Sequence, residues 1–307
     1  MSEVSIVLAT YNGAEYLEEQ LDSIIENTFT DWTLYICDDG STDRTLDIIE
    51  TYQSRYPDKI IAHQNSVNLG VTLNFLDGVT RTDGKYIMFC DQDDVWMPHK
   101  IERTLEAMKE KEQEIGENQA IAVFTDAKVV DGVMRTLADS FFRHTGLQAQ
   151  KHDLAHLLIE NKLIGCTMMF NRAVANKMRK IPTRARYHDW WIALIAAAFG
   201  EIVYVDEPTI NYRQHARNVV GGKTYAKYTV ERLLSLKEQK LSLVEDERQA
   251  FELLNLYQDE MTEEQASIIR DFASLHSMNW FERRVKLFHH GFWKSGLIRN
   301  VGVFLLV

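Results

Sequence analysis

The chain has 307 residues, 34 basic against 45 acidic side chains, a net charge of −11 and 45% hydrophobic residues. That length holds one large α/β domain with a smaller appendage, and the apolar content with only four prolines excludes a disordered chain. The acidic balance argues against nonspecific nucleic-acid binding, and no run of 18 apolar residues offers a membrane span.

Val4 to Thr10 reads as a buried strand that breaks at Tyr11-Asn12-Gly13. Leu17, Leu21, Ile24 and Ile25 then recur at helical spacing. No signal peptide is expected, because Glu3 and Tyr11-Asn12 interrupt the first apolar run. The unit lacks both the G-x-G-x-x-G dinucleotide fingerprint and the P-loop pattern. A second strand, Thr33 to Cys37, ends in Asp38-Asp39-Gly40-Ser41. Ser41 or Thr42 is expected to cap a helix carrying Leu46, Ile48, Ile49 and Tyr52. Lys59 to Ala62 is a third strand, and Asn68-Leu69-Gly70 opens a helix through Leu73, Phe75, Leu76 and Val79.

Tyr86 to Cys90 is a fourth strand, and it ends abruptly in Asp91, Asp93 and Asp94. Acid at a strand's carboxyl end sits where open α/β sheets bind ligands. Three close carboxylates repel one another unless a cation holds them, and hard oxygen donors suit Mg²⁺ or Mn²⁺. A solvated acidic turn with Asp94 as a helix cap fits the same residues.

Ala120 to Asp126 is a further strand, and Phe141 to Gln150 reads as a loop over the cleft. Leu163 to Phe170 carries Gly165-Cys166-Thr167, a small-residue turn into a strand. Small side chains there admit a sugar close to the backbone or serve packing. Asp189 stands at the start of an apolar helix, Ile192 to Phe199, as an N-cap carboxylate or a functional acid. Trp190 and Trp191 read as a sugar-facing wall or as core. The strand Glu201 to Val205 precedes Tyr212-Arg213-Gln214-His215. Arg213 and Arg217 are cations able to meet a diphosphate, and Asn218 to Gly222 reads as a closing loop.

From about Thr224 the chain turns helical: Leu233, Leu236, Leu243 and Val244 lie in a charged, glycine-free stretch, and Glu263 to Phe288 continues the pattern. The expected division is a catalytic domain over 1–222, with a nucleotide half to about 96, and a helical region over 223–307. Between Phe281 and Asn300, Arg283, Arg284, Lys286, Lys294 and Arg299 face one acid, Glu282, with Phe288, Phe292, Trp293, Leu297 and Ile298 interleaved. The pattern over 281–307 suits an anionic membrane surface; a helix docked on the protein or a homo-oligomer interface fits it too. Cys37, Cys90 and Cys166 match no zinc spacing and are expected as reduced core residues of a cytosolic protein.

Four motifs in order, A-T-Y-N (Ala9 to Asn12), D-D-G-S (Asp38 to Ser41), N-x-G (Asn68 to Gly70) and D-Q-D-D (Asp91 to Asp94), resemble glycosyltransferase family 2. The resemblance implies the GT-A fold: a Rossmann-like α/β domain with a mixed, mostly parallel sheet flanked by helices, here with an α-helical C-terminal region. It implies that Thr10, Tyr11, Asn12, Asp39, Asn68, Asp91 and Gln92 hold the nucleotide of a nucleotide-diphosphate-sugar donor. Asp93 and Asp91 match the metal-binding motif for Mg²⁺ or Mn²⁺, and His215 matches a histidine that completes the site, although a surface histidine fits there equally. Asp189 matches the general base of an inverting displacement. His188, Trp190, Trp191 and Arg213 are the expected sugar or acceptor contacts.

Within the family, D-Q-D-D-V-W with His188-Asp189-Trp190-Trp191 resembles bacterial rhamnosyltransferases. This implies dTDP-L-rhamnose as donor, with UDP-glucose or UDP-galactose as alternatives. The implied acceptor is a growing cell-surface glycan, free or lipid-linked, at the cytoplasmic face of the cell membrane. A noncatalytic nucleotide-sugar-binding module is the alternative from another class, and the intact Asp91, Asp93 and Asp189 stand against it. A nucleotidyltransferase would carry a basic loop after the first strand, and a processive synthase would carry Q-x-x-R-W; neither is present.

Overall fold

A computed structural model describes residues 2–178, 180–215 and 236–307. Arg217, the loop from Asn218 to Gly222, Leu233 and the boundary expected between 222 and 223 lie outside the described residues.

Strands β1 (Val4–Thr10), β2 (Trp32–Asp38), β3 (Ile60–Gln64) and β4 (Tyr86–Cys90) pair in parallel in the order β3-β2-β1-β4. Parallel strands with helices on both faces read as continuous apolar runs, and every residue of β4 is buried. Helices α1 (Leu17–Ile25), α2 (Thr45–Arg55) and α3 (Val71–Thr80) make the crossovers. Leu17, Leu21 and Ile24 form the buried stripe that seats α1. Ser41 and Thr42 do not cap α2. Asp38 binds the Ser41 hydroxyl (2.5 Å), and it is the Asp43 carboxylate that accepts from Thr45 N (3.0 Å) at the helix start.

The other half of the sheet is mixed. β4 pairs antiparallel with β8 (Met169–Asn171), which pairs antiparallel with β6 (Ala120–Asp131). β6 runs parallel to β9 (Gly200–Gln214); β5 (Val95–Trp96) closes the far edge on β9, and β7 (Thr136–Ala138) pairs with β6. The parallel pairings hold most of the registered residues. The strand expected at Glu201 to Val205 thus runs on through Pro208 to Gln214. Register shifts against β6 at Thr125/Asp126 and Asp126/Lys128 absorb the proline, which has no N–H for the ladder.

α4 (Lys100–Ile115) leads from β5 to β6. The segment expected as a loop over the cleft begins instead as α5 (Phe141–Thr145), capped by Ser140, with Phe141 and Phe142 buried. α6 (Leu154–Ile159), a 3-10 turn at Gly165–Thr167 and α7 (Arg172–Lys177) surround the short β8. Cys166 therefore sits in a turn, and all three cysteines are buried and unbridged. α8 (His188–Phe199) then enters the core.

The C-terminal region is α9 (Leu236–Tyr257), α10 (Glu263–Ala273), α11 (Trp280–His290) and α12 (Leu297–Leu306). The pattern over Glu263 to Phe288 is two helices, each opened by its own capping box, at Thr262 and at Asn279. The region packs on the sheet-bearing part of the chain: Glu252 accepts from Thr183 N (2.8 Å), and Lys162 Nζ donates to Ser295 Oγ (2.7 Å). Among the described residues no helix is long and apolar enough to cross a membrane.

Gly200 fixes the closest approach in the sheet. A Cβ there would lie 2.0 Å from Ala120 O and 2.8 Å from Ala120 N, both main-chain atoms of the paired strand that cannot swing aside. Gly200→Ala is expected to prise β9 from β6 and cost about 1–3 kcal/mol, read as a lower urea midpoint with an unchanged m-value.

Candidate active site

Thr10 lies beside Asp38, and Leu8 beside Cys90, so β1, β2 and β4 release their chains at one edge. The order of strands reverses between β1 and β4, where such sheets open a crevice. The Gln92 side chain bridges it, accepting from Tyr11 N (2.9 Å) and donating to Tyr11 O (3.2 Å). This contact requires Gly13, where a Cβ would lie 2.1 Å from Gln92 Oε1. Asn12 takes a left-handed conformation (φ 48°), which asparagine tolerates. Its Oδ1 accepts from Thr42 N (2.8 Å), tying the loops after β1 and β2 together.

Asp38 orders its own loop by accepting from Thr10 Oγ1 (3.0 Å), Gly40 N (3.1 Å) and Ser41 N (2.9 Å). Asp39 is buried and grips the loop before α3. Its Oδ1 accepts from Asn65 Nδ2 and Leu69 N, its Oδ2 from Gly70 N, each at 2.8 Å. Asn68 Nδ2 donates to Asp39 O (2.9 Å), so these two expected nucleotide contacts hold each other. Asn65 also donates to Asn74 Oδ1 (2.9 Å) behind them. Tyr11 is 51% exposed at the mouth of the crevice.

The acidic motif divides in two. Asp93 Oδ2 meets His215 Nε2 (2.8 Å), and His215 stacks on Tyr16 with centroids 4.9 Å apart. The structure thus joins Asp93 to His215 through a hydrogen bond, whereas the ligand atoms that converge within 4.8 Å belong to Asp91, Asp94 and Cys166. Asp94, absent from the expected site residues, is fully buried. Arg213 N donates to its Oδ1 (2.9 Å), and its Oδ2 has no hydrogen-bond partner. Burial, then the Asp93 charge, then that of Asp189 raise Asp91 to about 7. Burial and the Asp93 and Asp91 charges push Asp94 far up. Burial also keeps the Cys166 thiol protonated. The oxygens of Asp91 and Asp94, one of them unpartnered, fit a hard divalent cation; a protonated thiol does not. Lys100 is buried below, its Nζ 3.5 Å from Thr209 Oγ1, and desolvation lowers it to about 8.

Asp189 stands in the first turn of α8, half-buried, and close enough to Asp91 for the two charges to repel. Burial raises it to about 6, against hydrogen bonds from Trp190 N, the Asn161 side chain and the Gly165 amide that favour its ionised form. Gly165 serves packing: a Cβ there would lie 2.8 Å from His188 Nε2 and 3.3 Å from Asp189 Cβ. Its missing side chain lets the start of α8 approach the acidic motif.

The four expected sugar or acceptor contacts are corrected. His188 is 8% exposed, stacked on Phe75 at 3.9 Å between centroids, and burial drives it down to about 3, so it is a neutral core histidine. Trp191 is fully buried, and Trp190 turns its Nε1–H inward to Leu157 O (2.6 Å). Arg213 is 1% exposed and donates to Asp93 O (2.8 Å), Gly132 O (3.0 Å) and Glu19 Oε2 (2.5 Å). These side chains brace the site from behind and offer no wall to a sugar.

The family profile described as Glycosyl transferase family 2 matches residues 5–177. The chain is 32% identical over 242 residues to the dTDP-rhamnosyl transferase RfbG of Shigella flexneri, covering 74% of this chain and 78% of that protein. It resembles the solved structure of S. aureus TarS in complex with UDP-GlcNAc, with a TM-score of 0.59 at 16% identity over 94% of this chain and 80% of that one. It also resembles the mannosyltransferase PcManGT from Pyrobaculum calidifontis in complex with GDP-Man and Mn²⁺, with a TM-score of 0.57 at 15% identity over 99% and 79%. At such identities the likeness speaks for the fold alone, and that fold is GT-A. The profile and the Shigella relative go further: the protein is a glycosyltransferase, and the chain belongs to glycosyltransferase family 2.

Proposed function

We propose that the protein is an inverting, metal-dependent transferase that moves L-rhamnose from dTDP-L-rhamnose to a hydroxyl of a growing, lipid-linked cell-surface glycan at the cytoplasmic face of a membrane. The observation that carries the chemistry is Asp189, half-buried and raised to about 6 beside Asp91. A carboxylate raised toward neutral pH suits a general base. The 32% identity to the dTDP-rhamnosyl transferase supports the donor.

On this reading the nucleotide lies against the ends of β1 and β2, among Thr10, Tyr11, Asn12, Asp39 and Asn68, with its diphosphate toward Asp91, Gln92 and Asp93. Asp91 and Asp94, with the Asp93–His215 pair beside them, would hold Mg²⁺ or Mn²⁺. The bound cation supplies positive charge against that growing on the departing nucleoside diphosphate. Asp189 takes the proton of the acceptor hydroxyl as its oxygen bonds to the anomeric carbon. The bond from that carbon to the diphosphate oxygen breaks on the opposite face, which inverts the centre. Residues 1–222 form the catalytic unit on this reading, and 223–307 a helical attachment.

Asp189→Asn is expected to lower kcat about 10²–10⁴-fold while thermal-shift binding of the donor persists. In the unaltered enzyme kcat/KM should fall as pH drops through about 6, because the protonated carboxyl cannot accept a proton. Near-normal turnover of the variant would remove Asp189 from the mechanism.

Asp91 also sets a stability signature. Its pKa is raised from 3.8 to about 7, so the folded chain keeps a proton there that the unfolded chain releases. Stability from this group is complete below 3.8 and declines as pH rises toward about 7. With chelator present, urea midpoints should show this decline, Mn²⁺ should reverse it, and Asp91→Asn should shrink both effects, the remainder coming from the raised Asp94 and Asp189 carboxyls.

A donor screen separates the sugars. With Mn²⁺, dTDP-rhamnose should raise the melting temperature more than UDP-glucose, UDP-galactose or GDP-mannose and should be slowly hydrolysed. Selective response to a UDP-sugar would keep the mechanism and replace the donor.

A further inference from the structure

Asn161 connects the candidate base to the far end of the chain. It lies just past α6 and is half-buried, as Asp189 is. Its Oδ1 accepts from Leu163 N (3.1 Å), a local turn that asparagine side chains form with their own main chain. A main-chain N–H only donates, so this bond fixes which end of the amide is oxygen. The Nδ2 end is left to meet Asp189, and it donates to that carboxylate. Trp190 N also meets Asp189, at Oδ1 (2.6 Å), but it belongs to the next residue and rides on the same turn of α8. Asn161 and the Gly165 amide reach the carboxylate from outside the helix, and bonds of that kind select one orientation for it.

The amide is itself held. Glu160 and Lys162, on either side of Asn161, form a buried ion pair. From the C-terminal region Ser295 N donates to Glu160 Oε2 (2.7 Å), and Ser295 Oγ accepts from Lys162 Nζ (2.7 Å). Arg299, one of the cations expected to face a membrane, is buried and turns inward instead, to Glu160 Oε1 (3.2 Å) and Thr145 O (2.8 Å). Against burial, the charges of Lys162, Arg299 and Lys294 hold Glu160 down at about 2, so the pair stays ionised. A buried ion pair adds little net stability, because desolvation offsets its attraction, but it accepts few geometries.

On the reading of Asp189 as the base, we infer that Asn161 is its positioning residue, and that the Glu160–Lys162 pair, closed by Ser295 and Arg299, fixes Asn161 in turn. A base has to meet the attacking hydroxyl in one alignment, and a displacement of about 1 Å costs about a hundredfold in rate. Asn161 acts through Asp189 and takes no part in bond making.

The test uses the full chain with Mg²⁺ and dTDP-rhamnose, or the UDP-sugar that replaces it in the screen, at about pH 9, where side-chain carboxyls are ionised. Water stands in for the acceptor hydroxyl: its oxygen bonds to the anomeric carbon, the bond to the diphosphate oxygen breaks, and Asp189 takes the proton. Asn161→Ala removes both bonds of the amide. Asn161→Asp keeps an oxygen for Leu163 N and replaces only the donor that meets Asp189. Both should lower kcat about 10–100-fold with the donor KM within about twofold and the donor-induced thermal shift retained. A turn that only shapes the loop would lose rate in Asn161→Ala and regain it in Asn161→Asp. That recovery would overturn the inference, as would an unaltered kcat in both variants. Ser295→Ala should lower kcat several-fold, and no further when combined with Asn161→Ala. Equal losses in the two backgrounds would overturn the link from the C-terminal region to the base. Slow hydrolysis by Asp189→Asn beside normal hydrolysis by both Asn161 variants would overturn this inference alone. Near-normal hydrolysis by Asp189→Asn would remove the base, and this inference with it.

Discussion

Asp91, Asp93 and Asp94 leave β4 almost together, Asp189 arrives beside them from α8, and their mutual repulsion is the constraint that the surrounding structure answers. Two unit charges about 4 Å apart repel by about 4 kcal/mol at an effective dielectric constant of about 20. The fold meets this with separate devices. His215 takes Asp93, a main-chain amide at Arg213 takes one oxygen of Asp94, and buried Lys100 lies below. Burial keeps a proton on Asp91 up to about pH 7. Protons and one lysine thus hold the cluster in a form whose charge a divalent cation can take over.

The scaffold has to deliver these groups to one place from distant parts of the chain. The parallel half brings the ends of β1, β2 and β4 to a common edge, and Gln92 joins two of them by a paired amide contact. The mixed half brings Asp189 to the same edge, because Gly165 lets the start of α8 close in. Buried side chains behind the site, Trp191 and Arg213 among them, hold the elements in register.

The parallel half was legible because parallel strands are buried on both faces and end where the carboxylates begin. Asp38, Asp39 and Asp91 each follow an apolar run, and the order of the motifs supplied the rest. Asp94 and Cys166 were not legible as neighbours, since their meeting depends on β8 lying between β4 and β6. The length of β9 was hidden for a similar reason: Pro208 breaks a ladder in sequence, and only the register shifts against β6 rescue it. The burial of Trp190 and Trp191 left a readable sign. Every residue from Trp190 to Phe199 is apolar, and a helix apolar all round is buried. Their proximity to Asp189 in sequence pointed toward the cleft, whereas rotation about the helix turns them away from it.

Glu160 and Lys162 form a buried ion pair, and Ser295 and Arg299 of the C-terminal region reach into it. Asn161 lies between them in sequence and bonds Asp189. The last helix and the candidate base are therefore anchored to the same three residues. The C-terminal region cannot be treated as an interchangeable module: a chimera that joined a foreign tail to the sheet-bearing half would strip the buried Glu160–Lys162 pair of its Ser295 and Arg299 partners, next to the residue that bonds the candidate base. Exchange of tails between relatives would have to carry residues 160–162 along with them.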